Sequence, residues 1–251
     1  MTGLEGAVVI VTGAGSGIGR AAVSAFSAEG AHVLAAGRSS GRLEETAALA
    51  KAPELVSTIH CDVTSEDDVS RMVGHAVSRF GRLDAAFNNA GTFGRLGLLH
   101  LDDDANFDDV VNTNLRGLWL CLKHQIPAMV AKGGGSIINC ASVAAHRGHP
   151  MTAMYSATKH AVIGLSKSAA LQYAAEGVRV NVVSPGATDT DMLRSLFPSE
   201  EALDARARRM PLQRLASAQE IANAAVCLAS PLASYVTGQT LIVDGGGTAV
   251  G

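Results

Sequence analysis

The stretch from Ala7 to Glu29 constrains the fold of this chain more than any other part of the sequence. Residues 7–11 form a short, wholly apolar run, which is typical of a strand buried on both faces of a parallel sheet. Residues 12–19 follow with the spacing Gly-x3-Gly-x-Gly and lead into a segment compatible with a helix. A turn between a strand and a helix directs backbone N–H groups at a phosphate. This context favours a dinucleotide site over a ligand-free glycine turn, although the spacing departs from the Gly-x-Gly-x-x-Gly template.

Six further strand-like runs alternate with segments of helical pattern. The strands are predicted at residues 32–37, 55–61, 83–87, 136–140, 178–183 and 240–243. The helices that follow the first one are predicted at residues 40–50, 64–80, 106–131, 154–175 and 217–228. Because no internal repeat or low-complexity linker divides the sequence, we expect a single α/β domain over residues 1–251.

Charge and cysteine usage restrict the class of protein. The net charge is −3, and no basic cluster of the kind that binds nucleic acid is present in the sequence. The four cysteines lie far apart and form no Cys-x-x-Cys pair, which is typical of free thiols in a reducing compartment. Residues 1–7 carry no positive charge, and no run of about 18 apolar residues occurs. We therefore expect a cytoplasmic protein that binds neither nucleic acid nor membrane.

The end of the second predicted strand bears on the choice of cofactor. A site selective for NAD usually places an acid there to bind the ribose hydroxyls, whereas this chain has Gly37-Arg38-Ser39. The planar fork of Arg38 can pair with a 2′-phosphate, and the hydroxyls of Ser39 and Ser16 can complete such a pocket. A solvated arginine at a loop is the alternative. The sequence favours NADP(H) and leaves NAD(H) open.

Other strand ends carry polar residues that can meet at the carboxyl edge of the sheet. Asp62 can receive an adenine amino group or cap its own turn. The pair Asn88 and Asn89 can brace neighbouring strands, or can belong to an ordinary polar turn. Thr190, at the end of the segment that follows the sixth strand, can reach the carboxamide or a phosphate of the cofactor.

Tyr155 and Lys159 have a spacing that points to proton transfer. Positions four apart share one face of a helix, so the two side chains project together. A free phenol has a pKa of about 10, and a nearby ammonium group stabilises the phenolate and lowers that pKa. Ser142 can hold the same substrate oxygen by a hydrogen bond. An ordinary tyrosine beside a lysine that extends to solvent is the alternative, since the spacing alone is common.

No metal site is predicted from the sequence. The acidic residues 102–104 precede a predicted helix and are typical of a helix start. His146 and His149 share one loop, but no third ligand is placed beside them, so we assign them to a substrate loop. Asn112 and Asn114 are polar positions within an otherwise apolar helical pattern.

Together these motifs resemble the short-chain dehydrogenase/reductase family, and the resemblance covers essentially the whole chain. The set comprises the Thr-Gly-x3-Gly-x-Gly turn, Asn-Asn-Ala-Gly at residues 88–91, Val-Asn-Thr-Asn-Leu-x-Gly at residues 111–117, Ser142, Tyr-x3-Lys and Pro-Gly at residues 185–186, in one order. The resemblance implies a Rossmann-type, doubly wound domain with a seven-stranded parallel sheet and helices on both faces. It implies an oxidoreductase that transfers a hydride between NADP(H) and a secondary alcohol or ketone.

The resemblance also assigns residues to roles. The catalytic tetrad falls on Asn114, Ser142, Tyr155 and Lys159, and Asn88 is expected to line the cofactor site with Gly91. The predicted cofactor contacts are Gly13, Ser16, Gly17, Ile18, Gly19, Arg38, Ser39, Asp62, Val63, Asn89, Ala90, Gly91, Tyr155, Lys159, Pro185, Gly186, Thr188 and Thr190.

Several points stay open at the level of sequence. An NAD-dependent alcohol dehydrogenase of the same family, a related dehydratase or epimerase, and a non-catalytic nucleotide-binding regulator are the alternatives; the complete tetrad favours redox chemistry. Substrate contacts are expected from residues 92–98, from residues 144–151 and from a mobile lid near residues 190–212, and they indicate a moderately apolar small molecule. We expect a homotetramer, with a dimer as the second choice, because two long helices carry surplus apolar residues.

Overall fold

A single parallel sheet organises the computed structural model, which describes residues 2–249. Its order is β3-β2-β1-β4-β5-β6-β7. The strands are β1 (Val8–Thr12), β2 (His32–Gly37), β3 (Val56–His60), β4 (Ala85–Asn88), β5 (Gly135–Cys140), β6 (Val178–Pro185) and β7 (Thr240–Val243). The predicted bounds of β2 and β7 are confirmed, and every other strand begins and ends within two residues of its prediction.

Helices cover both faces of the sheet. They are α1 (Gly17–Ala28), α2 (Ser40–Ala48), α3 (Glu66–Phe80), α4 (Asp104–Val111), α5 (Gly117–Val130), α6 (Ala153–Tyr173), α7 (Asp191–Arg194), α8 (Glu200–Arg208) and α9 (Ala218–Ala229). Within the described residues, none of them is long and apolar enough to cross a membrane.

Two hydrophobic layers hold these helices against the sheet. On one face, α3, α5 and α6 contribute Met72, Leu120 and Val162 to a continuous core. On the other face, α1 and α9 contribute Phe26 and Ile221. Burial of a large apolar side chain contributes about 1.5–3 kcal/mol. The doubly wound, Rossmann-type architecture predicted from the sequence is therefore confirmed.

The strand order reverses direction beside β1, and this reversal positions the site. β1 pairs with β2 on one side and with β4 on the other, so the crossovers leave its carboxyl end in opposite directions. A crevice opens at such a point in doubly wound sheets. Thr12, Asn88 and Asn139 lie side by side there, in register across β1, β4 and β5.

The predicted helix over residues 106–131 is present, but it is not a regular α-helix throughout. Asn112–Arg116 forms a single π-helical turn between α4 and α5. At its end, Gly117 packs so closely that a Cβ would lie 2.9 Å from the Cγ2 atom of Val63. Within the turn, the Asn114 side chain is buried and bonds to the backbone of Thr92. The wider turn thus places a polar side chain inside the protein, as single π turns at functional sites often do.

The region predicted as a lid contains regular structure. The side chain of Thr190 caps α7 by accepting from Leu193 N at 3.2 Å, and that of Ser199 caps α8 by accepting from Ala202 N at 3.3 Å. Leu203, in α8, is fully buried. The two short helices were not predicted from the sequence, because this region is polar and only a few of the helical residues face the core.

Candidate active site

The glycine turn before α1 excludes side chains at the points where the backbone folds most tightly. Gly13 has a φ of 65°, and a Cβ there would lie 2.9 Å from Ala90 Cα. A Cβ on Gly19 would overlap the carbonyl oxygen of Gly13. Ser16, at the start of α1, makes no side-chain cap to the helix. The first N–H groups of α1 are thus left for an anionic ligand, which fits the pyrophosphate of a dinucleotide.

An arginine that the sequence reasoning missed holds this turn in place. Arg20 Nη2 donates to the carbonyl of Gly15 at 2.9 Å and to Glu45 Oε2 at 2.7 Å. The Thr46 hydroxyl donates to the Ala14 carbonyl at 3.1 Å. The turn is therefore fastened to α2 from behind. Position 20 carries no local sign of this role, because its side-chain partner Glu45 lies 25 residues away.

A cleft of about 350 Å³ runs from this turn to the carboxyl ends of β5 and β6. This volume lies within the usual range for small-molecule sites. Of the predicted cofactor residues, Gly19 and Asn88 do not line the cleft, and the place of Gly19 behind Gly13 makes it a packing position. The lining residues from that prediction are Gly13, Ser16, Gly17, Ile18, Arg38, Ser39, Asp62, Val63, Asn89, Ala90, Gly91, Tyr155, Lys159, Pro185, Gly186, Thr188 and Thr190.

Two arginines stand at the end of the cleft beside β2. Arg38 and Arg42 both line it and are both exposed. Neither forms an ion pair with a carboxylate of residues 2–249. Ser39, the N-cap of α2, makes no side-chain cap. Arg42 was missed by sequence reasoning, although its place four residues after Arg38, in the first turn of α2, is the signal that could have found it.

Asn89 and Asp62 have defined partners. Asn89 Nδ2 donates to the carbonyls of Thr12 and Gly13 at 3.2 and 3.3 Å, so it braces β4 against β1, as one of the two sequence interpretations predicted. Asp62 Oδ1 accepts from the amide and the hydroxyl of Thr64 at 2.9 and 2.8 Å. Asp62 therefore caps its own turn and also lines the cleft.

The expectation that Asn88 lines the cofactor site is wrong. Its side chain is buried and exchanges two hydrogen bonds with Gln125, each 2.9 Å long. It also donates to Asn139 Oδ1 at 3.0 Å, and Asn139 Nδ2 donates to Ser166 Oγ at 2.9 Å. Buried amides need such partners, and these bonds tie β4 and β5 to α5 and α6 beneath the site.

Tyr155 and Lys159 lie on the same buried face of α6. Their exposed fractions are 8% and 4%. Lys159 Nζ lies 5.6 Å from the centre of the Tyr155 ring and donates to the Cys140 carbonyl at 2.8 Å. Ser142 lines the same cleft at the end of β5. The structure thus brings Ser142, Tyr155 and Lys159 together, as the sequence predicted.

The pKa of the phenol differs from the prediction. Burial raises the pKa of Tyr155 well above its usual value, and the Ser142 hydroxyl opposes that shift only in part. Burial also lowers the pKa of Lys159. The Lys159 ammonium group, bonded to the Cys140 carbonyl, is not among the groups that lower the pKa of the phenol. Tyr155 is therefore a protonated phenol at neutral pH.

Asn114 lies behind the main cleft. Its Oδ1 accepts from Thr92 N at 2.8 Å, and its Nδ2 donates to the Thr92 carbonyl at 2.9 Å and to Thr158 Oγ1 at 3.2 Å. With Lys159 it lines a small cavity of about 10 Å³. Such a cavity is close to the size of a single water molecule.

Comparison with known proteins identifies the family. Residues 13–248 match the family described as enoyl-(acyl carrier protein) reductase. The A-factor type gamma-butyrolactone 1'-reductase (1S-forming) of Streptomyces virginiae is 45% identical over 250 residues, which cover 96% of this chain and 95% of that protein. This chain belongs to the short-chain dehydrogenase/reductase family. It is an NAD(P)-dependent oxidoreductase that acts on secondary alcohols and ketones.

Solved structures of the family superpose on it over nearly the whole chain. Levodione reductase is 37% identical with a TM-score of 0.92, and the match covers 99% of this chain and 100% of that one. ElxO with NADP bound is 32% identical with a TM-score of 0.91, and the match covers 97% and 99% of the two chains.

The substrate side of this short-chain dehydrogenase/reductase is less polar than expected. Phe93 lines the cleft, and its ring centre lies 4.3 Å from that of Tyr155. His146 does not line the cleft; its Nε2 lies 2.9 Å from Ser184 Oγ. His149 Nδ1 lies 3.0 Å from Thr152 Oγ1. Among residues 2–249, no group of three or more potential ligands is arranged for a metal ion.

Proposed function

We propose that this enzyme reduces ketones to secondary alcohols with NADPH, using Tyr155 as the proton donor. The observation that carries the proposal is the pairing of two features at opposite ends of one cleft. One end holds the guanidinium groups of Arg38 and Arg42, and the other holds a buried, protonated phenol. When bound, the nicotinamide supplies or accepts the hydride.

The residues around the phenol have separate tasks in this proposal. Tyr155 donates its proton to the carbonyl oxygen during reduction and takes it back during oxidation. The Ser142 hydroxyl holds that oxygen in place. Lys159 is bonded to the Cys140 carbonyl and lines the same cleft; in this proposal it holds the cofactor's ribose and returns a proton to Tyr155.

Asn114 supports the return of that proton. Its amide is fixed by hydrogen bonds to Thr92 and Thr158. Asn114 and Lys159 both line the small cavity behind the cleft. A water molecule there would join Lys159 to the hydrogen-bonded interior. This arrangement supports the prediction that Asn114 carries a water-linked proton path.

The preference for NADPH rests on charge at the end of β2. Gly37 offers no carboxylate to accept ribose hydroxyls, and an acid there would repel a 2′-phosphate. Arg38 and Arg42 offer two cations with free donors. A partly exposed arginine–phosphate pair contributes roughly 1–3 kcal/mol, which is about a 5- to 150-fold preference.

The test is kcat/KM for NADPH against NADH. We expect the native enzyme to prefer NADPH, and the double variant Gly37→Asp/Arg38→Leu to prefer NADH. Arg71→Leu is a matched control, because Arg71 is paired with Asp68 and does not line the cleft. A native preference for NADH, or no shift in the double variant, would reject NADPH as the favoured cofactor.

A homotetramer remains our expectation for the assembly. Leu171, near the end of α6, is 84% exposed, and Leu241, on the edge strand β7, is 42% exposed. Apolar side chains on a long helix and on an unpaired sheet edge favour contacts between copies. Light scattering at low micromolar concentration should give the mass of four chains, and the mass of one chain would reject the proposal.

The remaining predictions concern location and motion. We keep the cytoplasmic location and the single-domain organisation as proposals from the sequence. We also propose that α7 and α8 move as a lid over the substrate, because Met192 and Leu193 line the cleft while most of α8 is exposed. Hydrogen exchange that is slowed in residues 190–212 by NADP(H) and an alcohol together would support the lid.

A further inference from the structure

Phe93 is held against Tyr155 by backbone contacts on both sides of it. Before it, Thr92 exchanges two hydrogen bonds with the side chain of Asn114, at 2.8 and 2.9 Å. The Phe93 ring then lies with its centre 4.3 Å from the Tyr155 ring, at an angle of 43°. These contacts set the position of the ring before any substrate enters.

After Phe93 the backbone is fixed at two more points. Arg95 N donates to Asn106 Oδ1 at 2.7 Å, and Gly97 N donates to the Met151 carbonyl at 3.0 Å. Gly94, with a φ of 68°, leaves room for only a hydrogen, since a Cβ there would lie 2.5 Å from Asn106 Oδ1. The segment from residue 92 to residue 97 therefore acts as a fixed support for one aromatic side chain.

The same segment brings no unpaired charge to the site. Arg95 forms an ion pair with Asp103, at the start of α4 and away from the cleft lining. Phe93 and Met192 present apolar surface to the cleft. A substituent next to Phe93 therefore meets a flat apolar ring with no free cation.

We propose that Phe93 is a specificity-determining residue that favours substrates with a flat ring next to the reacting carbon. The proposal rests on the role of Tyr155 given above, because the substrate oxygen must come within about 2.6–3.2 Å of the phenol to exchange its proton. A group on the same carbon then lies beside the ring that packs against Tyr155. Aromatic rings prefer offset or tilted contacts with centres about 4.5–7 Å apart. The ligand class is an aryl or flat cyclic ketone and its alcohol.

The test compares two ketones of similar size, acetophenone and cyclohexyl methyl ketone, which differ in the flatness of the ring. The measured quantity is the ratio of their kcat/KM values with NADPH. In Phe93→Leu this ratio should fall by about 2- to 12-fold relative to the native enzyme. Phe93→Tyr keeps the flat ring and should keep the native ratio. Phe107→Leu, at an exposed position of α4 outside the cleft, should also leave it unchanged.

A binding measurement separates this proposal from the proposed function. Calorimetry with 1-phenylethanol and 1-cyclohexylethanol, in the presence of NADP⁺, measures the affinity for each alcohol. The difference between the two affinities shows the effect of Phe93 without requiring turnover. A weaker preference for the flat alcohol in Phe93→Leu supports the proposal even if turnover is absent. An equal loss for both compounds in rate and in binding, or no binding of either alcohol to the native enzyme, would overturn it.

Discussion

The two ends of the cleft are built in different ways. At the cofactor end, the turn from Gly13 to Gly19 is marked by its own glycine spacing, and Gly19 packs against the Gly13 carbonyl within the motif, although Thr46 and Asn89 also hold the turn from outside. At the substrate end, Phe93 takes its position from Asn114 and Asn106, which follow it by more than ten residues in the chain. The cofactor end can therefore be recognised from a local motif, whereas the position of Phe93 follows only from long-range contacts.

The largest expected effect is the loss of turnover when the Tyr155 hydroxyl is removed. Tyr155→Phe removes the proton donor and should lower kcat by about 10²–10⁴-fold, the usual contribution of a general acid. The affinity for NADPH, measured by quenching of its fluorescence, should stay within about twofold, because the phenol hydroxyl is a small part of a long binding surface. Tyr173→Phe, on the same helix, is the matched control and should keep native kcat. A Tyr155→Phe variant with near-native kcat would show that another group moves the proton.

The next effect is the dependence on pH. Since burial raises the pKa of Tyr155, the phenol is the form present at neutral pH, so initial rates of ketone reduction should change little between about pH 6 and pH 8. Alcohol oxidation requires the phenolate and should rise by about tenfold for each pH unit over the same range. Oxidation rates that level off near neutral pH would mean that Lys159 lowers the pKa of the phenol in the working enzyme, as the sequence alone predicted.

A pair of glycine substitutions sharpens the comparison of the two ends. Gly19→Ala pushes a methyl group into the Gly13 carbonyl and should lower the free energy of unfolding by about 1–3 kcal/mol, with weaker NADPH binding. Gly97→Ala meets no atom within 4 Å and should change stability by less than about 0.5 kcal/mol. Urea denaturation measures both variants. Equal losses of stability would contradict the view that the loss at Gly19 comes from the contact of a side chain with the Gly13 carbonyl.

The smallest predicted effect concerns Arg42. Arg42→Gln should reduce the preference for NADPH over NADH by about 2- to 5-fold, which is the range expected for one exposed ion pair. Arg214→Gln is a control, because that arginine is bound to Glu220 and does not line the cleft. If Arg42→Gln leaves the ratio of kcat/KM values unchanged, Arg38 alone accounts for recognition of the 2′-phosphate.

Much of the fold was predictable from the sequence because its signals are local. Apolar runs such as the one in β2 and the glycine turn before α1 each mark one element, and their alternation implies a parallel sheet. The positions of Tyr155 and Lys159 on one face of α6 follow from helix geometry alone. These features need no knowledge of which distant residues touch.

The features that the sequence did not predict depend on contacts between distant residues. The π turn around Asn114 depends on Thr92, and the buried position of Asn88 depends on Gln125 and Asn139, which lie far away in the chain. The raised pKa of Tyr155 depends on how completely the surrounding elements bury it. A single sequence shows residue types and spacing, but it does not show such partners or the depth of burial.

Nicotinamide absorbance with a panel of aryl, cyclic and aliphatic ketones distinguishes an NADPH-dependent ketone reductase from a nucleotide-binding regulator. We expect the native enzyme to consume NADPH with at least one ketone of the panel and to consume it faster than NADH. We expect Tyr155→Phe to bind NADPH without consuming it. Tight NADPH binding by the native protein with no consumption in the presence of any ketone would contradict ketone reduction, and would identify a nucleotide-binding regulator instead.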